Sequence, residues 1–428
     1  MKGRLNLFQS AMLRWRDLHP YSAVHVVRVP APFDRGRLAT AIAAQLERDG
    51  LTGLVLDRAR RRYEFRGGPA AIEFEVITQN GDGERAMSVE IERQLNTPFA
   101  RDGAIVPFRF FAVPGNGSFR LGLGYDHFIA GGDSIVVLLK KIVDRYAGAP
   151  VERPPPDLYP PTFSPLFARN AGTLVRGLLW LPRIAATCRR GMRPRYADDG
   201  DGYNQFVHVE LPAPATAALR AKARAWGVTF NDVLLAMLFQ ALAPQLPERR
   251  SAARRREIGI ASIVNLRKEC GLDVHDVFGQ FLSSIRVSHP VPPDISLEQL
   301  AHDIHAETAR VKKGKLYLQT LLAVRVNGIV WLFLNARRRR RLYAKTYPVL
   351  AGLTSLNIDA LWGSSGTGQA PPDYVRAVPT GPLAPLVVAA TTSGNTLQLG
   401  LSYRRTALLA QKIDKIADSF ADCVRSLQ

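Results

Sequence analysis

The sequence predicts a mixed α/β protein of two lobes, each a mixed β-sheet flanked by helices. Strand-like runs and amphipathic helical patterns intermix in both halves of the chain, without the strict alternation of a doubly wound nucleotide fold. A stretch with seven prolines, 149–165, interrupts this pattern between the halves. The length of 428 residues is enough for two or three hydrophobic cores.

These observations divide the chain into three segments. Residues 1–150 form the first lobe, residues 151–196 a proline-rich linker followed by a basic apolar segment, and residues 197–428 the second lobe. Each lobe is long enough to enclose a core of its own.

The first lobe is predicted to contain four strands and three helices. The strand-like runs, rich in β-branched and aromatic residues, are 24–29, 72–77, 105–113 and 118–125. The helical patterns are 34–49, 84–95 and 134–147. Between the last two strands, residues 114–117 (Pro-Gly-Asn-Gly) predict a hairpin, because glycine and asparagine adopt the backbone angles that such turns need.

The second lobe repeats this mixture with six strands and four helices. The strand-like runs are 206–211, 257–264, 281–289, 354–361, 384–391 and 396–403. The helical patterns are 215–226, 230–243, 296–313 and 407–426. Thr229 or Asn231 is the expected cap of the second of these helices, since either side chain can accept a backbone hydrogen bond.

The chain is strongly basic. It has 57 Lys and Arg against 37 Asp and Glu, a net charge of +20, and its pI is near 10.3. Such an excess favours an anionic partner: a nucleic acid, a phosphorylated cofactor, an acidic protein or a membrane surface. The basic runs are Arg60–Arg62, Arg254–Arg256, Lys312–Lys315 and Arg337–Arg341. Each run alone is also typical of a solvated helix end. No nucleic-acid-binding motif accompanies these runs, which argues against a nucleic acid as the partner.

Two apolar segments have basic residues within or beside them. Residues 173–189 are interrupted by Arg176 and Pro182, and residues 320–334 lead into the run Arg337–Arg341. Neither segment reaches the ~18 apolar residues of a membrane-spanning helix. They are either core helices with basic ends or helices that lie on a membrane surface.

The expected location is the cytoplasm, with the inner face of the membrane as the alternative. The amino terminus has no secretory signal pattern. Cys188, Cys270 and Cys423 are far apart and form no CxxC pair, which argues against a zinc site or a disulfide framework.

The stretch 124–134, with the sequence GYDHFIAGGDS, carries the clearest chemical signal. A predicted strand ends there, and a loop containing glycines leads directly into the helix 134–147, with Ser134 or Asp133 as its expected cap. His127 lies in this loop, where a neutral imidazole can be held exposed and can take a proton from an attacking alcohol, amine or thiol. From the residues alone, an incidental histidine at the end of a hairpin is the more ordinary interpretation.

This stretch resembles the active-site motif His-His-x-x-x-Asp-Gly of the superfamily that joins chloramphenicol acetyltransferase, peptide-synthetase condensation domains, plant-type acyltransferases and wax ester synthases. Asp126 stands at the first histidine, His127 at the second, Gly131 at the aspartate and Gly132 at the glycine. The resemblance implies two chloramphenicol-acetyltransferase-like lobes with an active-site channel between them. It also implies that His127 is the general base, with Asp126 and Asp133 as further catalytic candidates.

The motif aspartate of this superfamily pairs with an arginine. Here Gly131 takes the place of that aspartate, and Asp133 is the candidate to form the ion pair instead. Arg267 is its expected partner, because residues 260–268 resemble the Asn-x-Arg strand end of the superfamily. Other pieces follow in the expected order, so that the resemblance runs from about residue 20 to 426: 227–242, 278–286, 354–357 and the final strand and helix.

The resemblance implies an acyltransferase that moves an acyl group from a thioester to a hydroxyl or amine, in lipid or secondary metabolite biosynthesis. Ser355, Asn357 and a loop amide at Gly131 or Gly132 are the candidates for stabilising the oxyanion. No bound cofactor is implied, and acyl-CoA or a phosphopantetheine thioester is the co-substrate. The implied partners are this donor, an acyl or peptidyl carrier protein and, as the alternative, an anionic membrane surface.

The competing interpretation is a catalytically lapsed protein of the same fold that binds a carrier protein or a membrane surface, and Gly131 at the aspartate position favours it. Metal binding has weaker support, because His302 and His305 share a helical face without a third ligand. No nucleophile elbow, phosphate-binding loop or dinucleotide fingerprint is present in the sequence, which argues against ATP-driven and nicotinamide chemistry.

Overall fold

The protein is described here by a computed structural model that covers residues 1–78, 83–150, 153–158, 163–249, 251–362 and 373–425. The strands are β1 (Lys2–Arg4), β2 (Ser22–Val29), β3 (Leu54–Asp57), β4 (Arg62–Phe65), β5 (Glu73–Val76), β6 (Gly103–Ile105), β7 (Phe108–Pro114), β8 (Phe119–Asp126), β9 (Asp157–Leu158), β10 (Asn204–Leu211), β11 (Ile258–Asn265), β12 (Val277–Phe278), β13 (Leu282–His289), β14 (Ala351–Asn357), β15 (Tyr374–Ala377), β16 (Leu386–Ser393) and β17 (Thr396–Arg404). The helices are α1 (Leu7–Arg16), α2 (Arg35–Arg48), α3 (Gly83–Asn96), α4 (Gly132–Ala147), α5 (Ser164–Arg169), α6 (Ala171–Leu178), α7 (Leu181–Arg190), α8 (Ala213–Ala225), α9 (Phe230–Leu242), α10 (Arg267–Cys270), α11 (Leu297–Lys313), α12 (Tyr317–Val330), α13 (Ala336–Thr346), α14 (Asp359–Trp362) and α15 (Ala410–Arg425).

Two large mixed sheets organise the molecule. The first sheet has the order β15-β2-β8-β7-β5 and the second has the order β10-β17-β16-β14-β11-β13. Each contains both parallel and antiparallel neighbours, and helices pack beside both, α2 with α4 near the first and α9 with α8, α11 and α15 near the second. The predicted fold class, two lobes of mixed sheet and flanking helices, is confirmed.

Helix α9 forms the centre of the second core. Its residues are apolar on all sides, as expected of a helix surrounded by protein, and nearly all of them are buried. Thr229 caps it, because the Thr229 hydroxyl accepts from the amide of Asp232 while the Asp232 carboxylate accepts from the amide of Thr229. Of the two caps that the sequence allowed, the structure uses Thr229.

The helix that follows the histidine motif begins earlier than predicted. Helix α4 starts at Gly132, and its N-cap is Gly131, which has no side chain to cap with. Ser134 and Asp133 therefore do not cap it from outside as expected. They lie in its first turn, where both side chains are buried and face the second half of the chain.

Three predicted segments divide in the structure. The run 105–113 becomes β6 and β7, because Pro107 between them has no backbone donor for a ladder. The run 354–361 ends as a strand at Asn357, whose side-chain oxygen accepts from the amide of Asp359 at 3.0 Å and starts α14. The apolar segment 173–189 forms two helices, α6 and α7, that break before Pro182.

Strand β15 links the two halves of the chain and was not predicted. It pairs antiparallel with β2, with Arg376 opposite His25, and so adds an edge strand from the second half to the first sheet. The linker is tied down as well, since β9 within it pairs parallel with β12. Residues 151–152 and 159–162 of the linker lie outside the described residues. The segment 197–428 thus contributes one strand, β15, to the first sheet.

Among the described residues no single helix is both long and apolar enough to cross a bilayer. Two pairs of consecutive helices reach the required length and composition only when taken together, and each pair is sharply bent at the break between its helices. Ala213–Ala225 and Phe230–Gln245 are bent by 108°, and Leu297–Lys313 and Tyr317–Phe333 by 73°.

Gly400, on β17, lets β15 pack closely against the second sheet. A methyl group at this position would lie 1.9 Å from the carbonyl oxygen of Arg376, a backbone atom that cannot move aside cheaply. We expect Gly400→Ala to lower the free energy of unfolding by about 1–3 kcal/mol, measured by urea denaturation. Gly352→Ala, on β14 of the same sheet, is the matched control, because its methyl group would meet nothing closer than 3.6 Å. Equal midpoints for the two variants would contradict the close packing of β15.

Candidate active site

A cavity of about 470 Å³ lies between the two halves of the chain, and both contribute to its wall. The wall includes His25, Tyr125 and His127 from the first half, and Asn265, Ser355 and Arg376 from the second. A volume of this size falls in the range of small-molecule sites. The sequence-predicted histidine therefore borders a space that can hold a ligand.

His127 is buried rather than exposed as the sequence suggested. Only 8% of its surface is accessible, and the residue forms part of the cavity wall. Its amide donates to the carbonyl oxygen of Tyr21 at 3.2 Å, and the rings of Tyr21 and Tyr125 lie 5.5 and 5.8 Å from the imidazole. The contacts of these aromatic rings, which come from neighbouring chain segments, explain the low exposure.

Burial makes His127 a neutral imidazole at physiological pH. It lowers the pKa of His127 to about 4, with a smaller lowering by the charge of Arg376 and a partly opposing effect of the Ala130 backbone. The buried Nδ1 has no partner with hydrogen-bond geometry in the described part of the chain. A general base must be unprotonated before it can accept a proton, and a neutral imidazole that borders a cavity meets this requirement.

Asp126 does not reach this cavity. It forms an ion pair with Arg16 of α1, whose guanidinium also donates to the carbonyl oxygen of Arg101 at 2.7 Å. Burial raises the pKa of Asp126 to about 6, and the neighbouring charge of Arg16 limits the rise. Asp126 is absent from the described cavity wall, so the structure gives this candidate an anchoring contact in place of one with substrate.

Asp133 and Arg267 form a buried ion pair between the halves. Arg267 Nε lies 2.6 Å from Asp133 Oδ2, and Asn265 Nδ2 donates to the same oxygen at 2.8 Å. The carboxylate occupies space that a side chain at Gly131 would need, because a methyl group there would lie 2.8 Å from Asp133 Oδ1. The glycine at the motif position and the aspartate two residues later are thus sterically coupled.

Ser134 and Gly279 extend this junction. Arg267 Nη2 donates to Ser134 Oγ at 2.6 Å, and the amide of Gly279 donates to the same oxygen at 3.1 Å. The amide of Gly131 donates to the carbonyl oxygen of Gly279 at 3.0 Å. Since this amide is already used, Gly131 does not supply a free donor to an oxyanion.

The other oxyanion candidates differ in position. Ser355 lies on the cavity wall and donates its hydroxyl hydrogen to Asn231 Oδ1 at 2.7 Å. Asn357 accepts from the amide of Asp359 at the start of α14 and is not part of the described wall. Gly132 lies on the wall, where a methyl group would be 3.4 Å from Arg376 Nη1 and 3.3 Å from His25 Cε1.

Arg376 is the site residue that the sequence analysis missed. Its side chain is buried, with Nε donating to Thr391 Oγ1 at 2.8 Å and Nη2 donating to the carbonyl oxygens of Thr354 and Ala390. Nη1 makes no hydrogen bond in the described part of the chain, and no carboxylate pairs with the guanidinium there. Burial lowers its pKa to about 10, which still leaves it charged at neutral pH.

The other histidines differ in their surroundings, and His25 also borders the cavity. His25 is fully buried, and its Nδ1 lies 2.8 Å from the hydroxyl oxygen of Tyr374. His305 Nδ1 lies 2.8 Å from Asp232 Oδ2, while His302 is exposed on α11. Within the described ranges no three His, Cys, Asp or Glu side chains are grouped to hold a metal ion.

The Asp133–Arg267 pair should be a large contributor to stability. We expect Asp133→Asn to lower the free energy of unfolding by about 3–5 kcal/mol, since it leaves a buried guanidinium without its countercharge. Adding Arg267→Gln should then cost little more, because the two side chains act as one unit.

Chemical denaturation of the single and double variants tests this. Asp373→Asn is the control, because its pair with Arg28 is half exposed and worth about 1 kcal/mol or less. Additive losses in the double variant would contradict the coupling.

The chain resembles solved structures, whereas no protein-family model and no curated protein matches it. The first condensation domain of the CDA synthetase aligns with a TM-score of 0.67 and 16% identity, over 100% of this chain and 96% of that chain. The SgcC5 protein from Streptomyces globisporus aligns with a TM-score of 0.68 and 15% identity, over 99% of each chain. The EpoB cyclization-docking bidomain from Sorangium cellulosum aligns with a TM-score of 0.69 and 17% identity, over 100% of this chain and 84% of that chain. The chain therefore has the two-lobed, chloramphenicol-acetyltransferase-like fold of the condensation domains.

Proposed function

We propose that the protein is an acyltransferase that moves an acyl group from a thioester to a hydroxyl or amine. The observation that carries this proposal is a buried, neutral His127 on the wall of a cavity to which both halves of the chain contribute. A base in this state needs only a bound acceptor and a bound thioester to act. The fold, shared with condensation and cyclization domains, supports the same class of reaction.

In this reaction the acceptor oxygen or nitrogen attacks the thioester carbonyl carbon while the imidazole of His127 takes its proton. The new bond forms as the carbonyl π electrons move onto oxygen and give a tetrahedral oxyanion. Collapse of this intermediate breaks the carbon–sulfur bond, and the imidazolium returns the proton to the departing thiolate. The products are an ester or amide and a free thiol. Holding both reactants beside the base removes much of the entropic barrier.

We assign the stabilisation of the oxyanion first to Arg376. Its Nη1 is available, it lies near Gly132 at the amino-terminal end of α4, and its charge is close enough to lower the pKa of His127. A fixed positive group in a buried site stabilises developing negative charge more strongly than the same group in water. The amide of Gly132 is the secondary candidate, because the hydroxyl hydrogen of Ser355 is already donated to Asn231.

The proposed donor is acyl-CoA or a phosphopantetheine thioester on a carrier protein. The net charge of +20 suits the phosphates of either donor and the acidic surface of a carrier. The similarity to a cyclization-docking bidomain of a peptide synthetase supports the carrier-bound form.

The competing function is binding without catalysis, for which Gly131 at the motif aspartate was the main support. The ion pair of that aspartate has a counterpart here, because Asp133 reaches Arg267 at 2.6 Å. The catalytic proposal is therefore favoured, and the two functions differ in whether His127 is needed for turnover.

His127→Gln should reduce the kcat/KM of acyl transfer by about 10²–10⁴-fold, the usual effect of losing a general base. Purified protein is incubated with acyl thioesters and alcohol or amine acceptors, and free thiol and acylated product are measured. Exposed His302→Gln is the matched control and should retain activity.

The pH profile provides a second measurement on the same residue. Because only the neutral imidazole accepts a proton, activity with an alcohol acceptor should stay constant from pH 8 to 5.5 and fall as the pH drops through about 4. Unchanged turnover in His127→Gln would contradict the assignment of the base, and half-loss near the ordinary histidine value of about 6.5 would contradict the lowered pKa.

Arg376→Gln should lower kcat and kcat/KM together, by about 10²–10³-fold, because the oxyanion exists only near the transition state. Arg376→Lys should recover part of the loss, since it keeps the charge but not the planar fork. A rise in KM with unchanged kcat would instead indicate that Arg376 binds an anionic group of the substrate. Circular dichroism and thermal unfolding of both variants check that β15 remains in place.

A further inference from the structure

Exposed apolar side chains are concentrated on two neighbouring segments. Of the fourteen large apolar side chains that the described residues expose, ten lie in 175–184 and 326–333, with Leu179 80% and Phe333 81% exposed. A soluble surface rarely presents so many large apolar groups together. We call these two segments the apolar surface.

Helices that carry or adjoin the two segments pack against each other. Helix α6 packs on α12, and Gln319 Nε2 donates to the carbonyl oxygen of Leu174 at 2.9 Å. Gly177 makes the close approach possible, because a methyl group there would lie 1.9 Å from the same nitrogen. The apolar surface is thus held by packed helices and has a fixed shape.

The net positive charge of the protein lies in the same two regions. Residues 163–197 contain seven Lys or Arg, residues 308–358 contain eleven, and neither contains Asp or Glu, so that they carry +18 of the total +20. Arg337 and Arg338, just after the apolar surface, are exposed and have no ion pair among the described residues. Apolar side chains with cations close by in the chain are typical of segments that bind an anionic lipid surface.

The cavity of His127 begins under this surface. Trp180, Leu181 and Ile184 from α7 and its preceding turn, with Ala323 and Val324 from α12, form part of the same cavity wall. Leu181 and Ile184 belong both to the apolar surface and to the cavity wall, so that the two are contiguous.

We propose that the apolar surface docks on an anionic membrane, and that the cavity takes its lipophilic substrate, a long-chain acyl donor or acceptor, from the bilayer. Docking stands on its own, whereas the entry of substrate rests on the proposed acyl transfer. An acidic carrier protein fits the cations equally well but leaves the ten exposed apolar side chains without a partner, which favours the membrane.

Sedimentation of the full chain with vesicles tests the docking. The protein should bind vesicles of phosphatidylcholine with 30% phosphatidylglycerol, and binding should weaken about tenfold or more without the anionic lipid or at high salt. Leu179→Glu with Phe333→Glu should also weaken binding about tenfold or more. Val89→Glu, at an apolar residue 63% exposed elsewhere, is the control and should bind as the parent does.

Two outcomes would overturn the docking. One is no binding of the parent protein to either vesicle, which would leave a protein partner for this surface, and the other is equal binding of the double variant and the control. His127→Gln should bind vesicles normally, so a failure of the catalytic proposal remains distinguishable.

For substrate entry, anionic vesicles should raise the rate of acyl transfer with long-chain substrates only, and Leu179→Glu with Phe333→Glu should abolish that gain. Equal stimulation of short-chain substrates would contradict it.

Discussion

The buried ion pair between Asp133 and Arg267 is the constraint on which the site depends. It joins the first turn of α4 to the start of α10, just after β11, and Ser134 Oγ and the carbonyl oxygen of Gly279 accept from the same guanidinium. The loop that carries His127 leads directly into this turn, so its position relative to the second half is set by the pair. Because His127 is close to Asp133 in the chain, the buried ion pair also fixes the imidazole on the wall of a cavity to which both halves contribute.

The charged side chains in and near the cavity differ in whether they have an ion-pair partner. Asp126 and Asp133 each have an arginine, whereas Arg376 has hydrogen bonds but no carboxylate partner in the described residues. Burial keeps His127 neutral and leaves Arg376 charged, because the two groups start from very different ordinary pKa values. The wall therefore brings together a neutral imidazole and a charged guanidinium.

Much of the architecture could be predicted from the sequence, because long alternating and helical patterns reflect local backbone preferences. Most strands of both large sheets and the helix after the histidine motif were identified in this way. Strand β15 was not, since four residues carry too little periodicity and its pairing with β2 is a long-range contact. Arg376 was missed with it. The burial of His127 was also unforeseen, because it depends on aromatic rings brought close by folding, among them that of Tyr21.

The crossover of β15 has a consequence for how the chain reaches its native state on the ribosome. Strand β2 emerges early, but its neighbour on one side follows more than three hundred residues later. Until then the edge at Val24–Val27 presents unpaired amides and carbonyls beside apolar side chains, a template for aberrant pairing with other chains. The first sheet can therefore be completed only after residues 374–377 have been synthesised.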